Sequence, residues 1–230
     1  MLHNTKELYG LKLTATDGEI GHVKDFYIDD KSWAVRYIIV DTGTWLSSRL
    51  VLLSPRTFGK LDTAAKCLRV ELTKKQIEDS PSIDTHLPVS RQYEQEYYRY
   101  YGWPGYWEST GFWGVSDYAP ISPMAAPDSQ AHHGHNQRED IHLRSAKAVN
   151  GYAIEATDGT LGSVSGFMVD DHEWMVRQIA IETGHWYSGK EILLPPSKVE
   201  RISYSESKMF VDLTKADLER TKEHAVARAA

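Results

Sequence analysis

Gly10–Ile38 reads GLKLTATDGEIGHVKDFYIDDKSWAVRYI, and Gly151–Ile179 reads GYAIEATDGTLGSVSGFMVDDHEWMVRQI. The two stretches lie 141 positions apart, and the match extends without a gap from Gly10–Glu78 onto Gly151–Glu219, with 26 of 69 positions identical. Unrelated segments of average composition agree at roughly one position in fifteen to twenty. The chain is therefore an internal repeat, and each copy serves as a control for the other. What both keep belongs to the shared unit, and what differs is free to specialise. Gly10–Pro55 holds 21 of the identities, Arg56–Arg69 holds none and Val70–Glu78 holds the other five.

Turn chemistry dominates the shared positions. Asp17-Gly18 and Asp158-Gly159 sit between short apolar runs, the strongest local hairpin signal. After Gly21 (Gly162) the apolar positions Val23, Phe26 and Ile28 break strict alternation, which predicts a bulge. Asp29-Asp30 (Asp170-Asp171) makes the next turn. In Trp33–Asp41 the alternation puts Ile38 and Val40 on one face and Trp33 and Val35 on the other, the pattern of a central strand covered on both sides. Leu50–Leu53 and Cys67–Leu72 read as further strands, with Pro55 ending the first. Thr73-x-x-Gln76 and Thr214-x-x-Asp217 then look like helix caps. Leu2 and Lys6 also fall on Leu143 and Lys147, so each unit is expected to begin near Leu2 and Leu143. Five or six short strands with turns every 8–12 residues predict a small barrel closed by one short helix.

The combination G-x(4)-A-T-D-G-x-x-G-x-V-x-x-F-x-x-D-D-x-x-W-x-V-R-x-I, followed by T-G-x-W, L-L-x-P and V-x-L-T-K, resembles the PRC-barrel family. That family takes in the cytoplasmic domain of the photosynthetic reaction centre H subunit and the C-terminal domain of the ribosome maturation factor that acts on the small subunit. The expected fold is mainly β: two small PRC-type β-barrels, each followed by a short α-helix, joined by an aromatic-rich segment. The expected divisions are 2–81 for the first barrel and helix, 82–142 for the aromatic clasp and linker, and 143–224 for the second barrel and helix. The resemblance implies partners of the relatives' kind, a ribosomal protein or a membrane-bound electron-transfer complex. It also carries an alternative function, that of a peripheral subunit tuning photosynthetic electron or proton transfer.

Composition narrows the class further. A hydrophobic share of 41% with 25% charged residues fits a globular protein. No stretch approaches the eighteen or so apolar residues of a membrane span, so no integral membrane segment and a cytoplasmic location are expected, with peripheral association with a membrane complex left open. The net charge of −6 supplies no excess of Lys and Arg to displace phosphate counterions, so nucleic acid is not an expected partner. Cys67 is the only cysteine and falls on Lys208, which excludes an intramolecular disulfide. Units of this size bury only about 60% of their unfolded surface, so packing of copy on copy, or of chain on chain as a homodimer, is expected.

No Ser/His/Asp arrangement, Gly-rich phosphate loop or Cys-x-x-Cys is present, and His22, His172 and His185 fall on Ser163, Lys31 and Thr44. Neither an enzyme nor a cofactor is expected. The expectation is a protein-interaction or assembly module whose partner is another protein or itself. Trp33, Trp45, Trp174 and Trp186 are candidate interface anchors, with filling or plugging a barrel as the competing role. Arg36 and Arg177 are candidate anchors for a partner's carboxylate, with an internal ion pair to Asp29, Asp170 or Asp25 competing. Asp17, Asp29 and Asp30 are read as turn residues before cation ligands.

Between Tyr93 and Tyr118 the chain packs eleven of its 25 aromatic residues. Ser90 can cap a helix in which Tyr93, Tyr97, Tyr100 and Tyr101 share a face, broken by Gly102-Trp103-Pro104-Gly105. Tyr97, Tyr101, Trp103, Trp107 and Trp113 are candidates either for a clasp lying across a barrel or for a partner surface. Pro120–Gln137 has linker composition. Within and beyond it His132, His133, His135 and His142 are candidate ligands for zinc, nickel or copper, as a metal-binding protein or metal-dependent enzyme, against a solvated His tract. Partner recognition is expected in the unduplicated aromatic segment and where the copies diverge, Arg56–Arg69 against Ser197–Phe210.

Overall fold

A computed structural model describes residues 1–81, 91–105, 107, 143–184 and 191–218. The first copy runs β1 (Leu2–Asn4), α1 (Thr5–Leu8), β2 (Lys12–Ala15), β3 (Gly18–Asp29), β4 (Val35–Asp41), β5 (Leu50–Leu53), β6 (Phe58–Asp62), β7 (Cys67–Val70) and α2 (Lys74–Glu78). Helix α3 (Arg91–Tyr101) follows. The second copy runs β8 (Leu143–Ser145), α4 (Ala146–Val149), β9 (Ala153–Ala156), β10 (Gly159–Asp170), β11 (Val176–Thr183), β12 (Glu191–Leu194), β13 (Val199–Ser203) and β14 (Lys208–Val211). A helical turn at 215–218 stands in the place of α2.

Two seven-stranded sheets result, ordered β5-β4-β3-β2-β7-β6 and β12-β11-β10-β9-β14-β13. The hairpin turns fall where Asp-Gly predicted, with Ala15 opposite Gly18 and Ala156 opposite Gly159. Each sheet curls because β3 and β10 are bulged along their length. One bulge, between Val23 and Asp25, lies where the sequence broke alternation. A second corrects the expected facing of β4. Tyr27 pairs with Tyr37 but Ile28 pairs with Val35, leaving Arg36 as the extra residue. The skipped position turns Val35 back onto the face of Ile38 and Val40, and all three lie in one core. The opposite face carries Tyr37 and Ile39.

The seventh strand of each sheet comes from the other copy. β1 pairs antiparallel with β10, Leu2 opposite Asp170, and β8 pairs antiparallel with β3, Leu143 opposite Asp29. Each copy thus lends its first strand to its twin. At the centre Ala34 bridges Met175, the Val35 amide donates to the Trp174 carbonyl (2.8 Å), and the Val176 amide donates to the Trp33 carbonyl (2.8 Å). Ala34 and Met175 occupy equivalent positions and the two amide bonds are copies of one another, the signature of a two-fold axis within one chain. A single apolar core runs through both copies, from Leu13, Ile20 and Phe26 to Ile154, Leu161 and Phe167. Among the described residues no helix is long and apolar enough to cross a membrane.

Candidate functional site

The side chains that both copies keep perform the same local task twice. The Thr16 and Thr157 hydroxyls donate to the Leu72 and Leu213 carbonyls at 3.1 Å each. Asp17 and Asp158 accept the amides of Lys74 and Lys215, so the hairpin turn anchors the closing helix. Thr73 and Thr214 exchange reciprocal bonds with Gln76 and Asp217. Asp29 accepts the amides of Lys31 and Ser32, and Asp170 accepts that of His172. Trp33 and Trp174 close these turns at φ 61° and 54°, a left-handed conformation rare for so bulky a residue. That conformation aims each carbonyl across the two-fold axis.

Arg36 pairs with Asp29 at 3.2 Å and reaches Ser32, with only 5% of its side chain exposed. Burial works against ionisation of Asp29, but the Ser32 and Lys31 amides and the Arg36 guanidinium outweigh it and hold the carboxyl below the usual range. Arg177 faces Asp170 and Glu173 with 42% of its side chain exposed. The two equivalent arginines therefore serve the same turn in different solvent. Trp45 donates its indole N–H to the Ile20 carbonyl at 2.7 Å and packs against the core beneath the Lys74 ammonium. Trp33 is half-buried, while Trp174 is buried with its ring 4.8 Å from Phe58.

The described part of the clasp lies on the outer face of the first sheet. Tyr97 and Tyr98 of α3 pack on Tyr37, Ile39 and Leu52, joined by Leu143. The Tyr97 hydroxyl accepts the Ser54 amide at 3.0 Å, and the Tyr37 hydroxyl donates to the buried Glu94 carboxylate at 2.6 Å. Burial drives the Tyr97 phenol well above its ordinary value. The buried face runs through Glu94, Tyr97, Tyr98 and Tyr101, one step round from the expected Tyr93, Tyr97, Tyr100 and Tyr101, because Tyr37 draws Glu94 inward. Tyr100 is 39% exposed. Trp103 stacks on Tyr101 with ring centroids 4.7 Å apart, Trp107 meets Tyr98 at 5.3 Å, and the Arg56 guanidinium lies over Tyr98 and Trp103. The corresponding face of the second sheet carries Gln178, Ala180 and Leu193 in place of Tyr37, Ile39 and Leu52, with Leu193 45% exposed.

Trp113, Trp186, His132, His133, His135 and His142 lie outside the described residues. Among the described residues no group of three or more His, Cys, Asp or Glu side chains could hold a metal ion. A cleft of about 650 Å³ opens between the β6–β7 hairpin and the turn before β11, lined by Pro55 and Phe58 to Ala64 on one side and Met1, Asp171, His172 and Trp174 on the other. The sequence points to Trp174 and to the divergent interval Arg56–Arg69, but not to their meeting in one cleft. The available signal was the divergence of Arg56–Arg69 from its copy, within which β6 falls.

The turns, the swapped first strand and the sheet order make residues 3–77 a complete repeat of one β unit. Comparison with protein-family models matches that stretch to the PRC-barrel domain. Residues 3–77 are a PRC-barrel domain. The second copy repeats the strand order of this PRC barrel, with the sheet path left open between β5 and β6 and between β12 and β13. No curated protein matches the chain. On that match residues 3–77 are a domain of the general interaction and assembly kind.

Proposed function

We propose that this protein is a non-enzymatic interaction scaffold, in which two coupled barrels hold divergent surfaces in a fixed relation to recognise another protein. One observation carries the reading: the polar side chains shared by the copies repeat backbone and structural bonds. Thr16, Asp17, Asp29, Arg36 and Thr73 match Thr157, Asp158, Asp170, Arg177 and Thr214 in the bonds they make. What the duplication retained is a frame. The chemistry-bearing types vary between copies, as they would where each copy meets a different surface. Affinity purification of the chain from its own cells under native conditions tests this. A partner in fixed stoichiometry is expected. Recovery of the chain alone, together with turnover of a small molecule abolished by one side-chain change, would overturn it.

A further inference from the structure

The copy-to-copy comparison singles out the cleft beside β6. In the second copy the equivalent interval is bridged by an aromatic ring. Tyr204, in the β13–β14 hairpin, accepts the Ser145 amide of the lent strand β8 at 3.1 Å. The Arg144 guanidinium lies 4.9 Å from the centre of that ring and pairs with Asp30 at 2.7 Å. Hairpin, lent strand and turn are tied together by this one phenol. In the first copy the position of Tyr204 is Thr63, too short to reach β1, and that of Arg144 is His3, which keeps the equivalent pair, with Asp171 at 3.0 Å, but has no ring to lie over. Thr63 lines the cleft, whose volume of about 650 Å³ is within the range of ligand sites.

The walls define what fits. Because side chains alternate along a strand, a cleft touching every residue from Phe58 to Ala64 runs along the edge of β6 rather than over one face. β6 ends its sheet and pairs only with β7. Its register shift between Phe58 and Leu61, together with Lys60, opposes simple addition of another strand, so recognition falls to side chains. Phe58, Leu61 and Trp174 offer an apolar floor. Charge supplies the second element. Asp171 is engaged by the Met1 ammonium and by His3, and Asp62 accepts the Ala65 amide. Lys60 is exposed and has no ion pair among the described residues, so it is the cation this cleft offers to a partner's acid.

We propose that this cleft receives a tyrosine side chain, flanked by an acidic residue, from a segment of a partner protein. The ring takes the place that Tyr204 fills in the other copy, and the acid pairs with Lys60 at the rim. The proposal rests on the interaction reading above and names its partner's chemistry. The test is selection of random displayed heptapeptides against the full chain, followed by titration of the recovered sequences against Thr63→Tyr and Lys60→Glu. Both positions are exposed, so both variants keep the fold. Recovered peptides sharing a Tyr beside Asp or Glu are expected, with affinity falling at least ~10-fold in Thr63→Tyr, where the cleft fills itself, and several-fold in Lys60→Glu. Amide shifts on binding should concentrate at Gly59–Ala64 and His172–Trp174. Failure to recover such peptides, or recovered peptides that bind Thr63→Tyr as well as the parent, would overturn the cleft. A natural partner retained undiminished by Thr63→Tyr would leave the scaffold standing and remove this site from it.

Discussion

At the residue scale, Gly21 and Gly162 show why some shared positions admit no alternative. Their φ values of 139° and 155° are unfavourable for any side chain, and a Cβ on either would strike the carbonyl oxygen of Asp41 or Glu182 on the neighbouring strand. At Gly21 the same Cβ would stand 2.9 Å from the Thr42 Cα, so backbone rather than a flexible side chain must yield. Gly21→Ala is expected to cost about 2–4 kcal/mol in urea unfolding, combining conformational strain with overpacking. Gly10 has φ 74° but nothing within 4 Å of its absent Cβ. Gly10→Ala should therefore lose only about 1 kcal/mol. Equal losses at the two sites would show that φ alone, and not the strand contact, sets the penalty. The need for glycine was legible in the sequence, since both copies keep it. Trp33 and Trp174 were legible only as shared, because nothing in a tryptophan announces a left-handed backbone.

At the element scale, the lent arms are fastened differently in the two copies, and the differences compensate. The Phe167 amide donates to the Thr5 hydroxyl at 3.2 Å, and the absence of a side chain on Gly166 makes room for Asn4, which caps α1. Opposite, Ala146 stands where Thr5 does and can accept nothing. The Phe26 amide turns instead to Asp25 at 2.7 Å, the residue that replaces Gly166. Asp25 also accepts the Ser145 hydroxyl and the Lys147 amide, so one carboxylate holds the base of α4. Burial raises its carboxyl above the usual range despite the bonds from Ser145, Lys147 and Phe26. A folded value above the unfolded one contributes stability at low pH that is lost as pH rises through the folded value. Asp25→Asn, which cannot ionise, is therefore expected to gain on the wild type as the pH is raised from about 3 toward neutrality in parallel thermal melts. A difference constant over that range would show that Asp25 titrates alike folded and unfolded. Strands, turns and caps were legible because each is written in local residue types. The partner of β1 was not, since three residues of strand specify pairing but not with whom. The bulge at Arg36 was hidden for a similar reason: its cause lies in the Asp29 turn across the hairpin, not in the alternation of β4 itself.

At the scale of the whole molecule, the exchange of first strands makes this chain a dimer of repeats folded within one polypeptide. Each sheet without its borrowed strand would expose the Phe26 or Phe167 flank of a core too small to be comfortable alone. The strand pairings across the axis repeat from one copy to the other, so a repeat can in principle satisfy itself with a second copy of itself. Residues 143–230 on their own are the favourable test, because the face equivalent to the one α3 covers carries Gln178 and Ala180 in place of the bulkier Tyr37 and Ile39. In the self-paired arrangement β8 of one fragment would take the place of β1 on β10 of the other, with Ser145 standing where Asn4 enters beside Gly166. The Trp174 carbonyl would accept the Val176 amide of the opposite copy, as the Trp33 carbonyl does now. Sedimentation equilibrium should therefore find the fragment dimeric, and adding residues 1–105 should convert it to a heterodimer. A folded monomer would mean that β8 can close back on its own sheet. The exchange would then follow from the connection between the repeats rather than from the fit of arm to barrel.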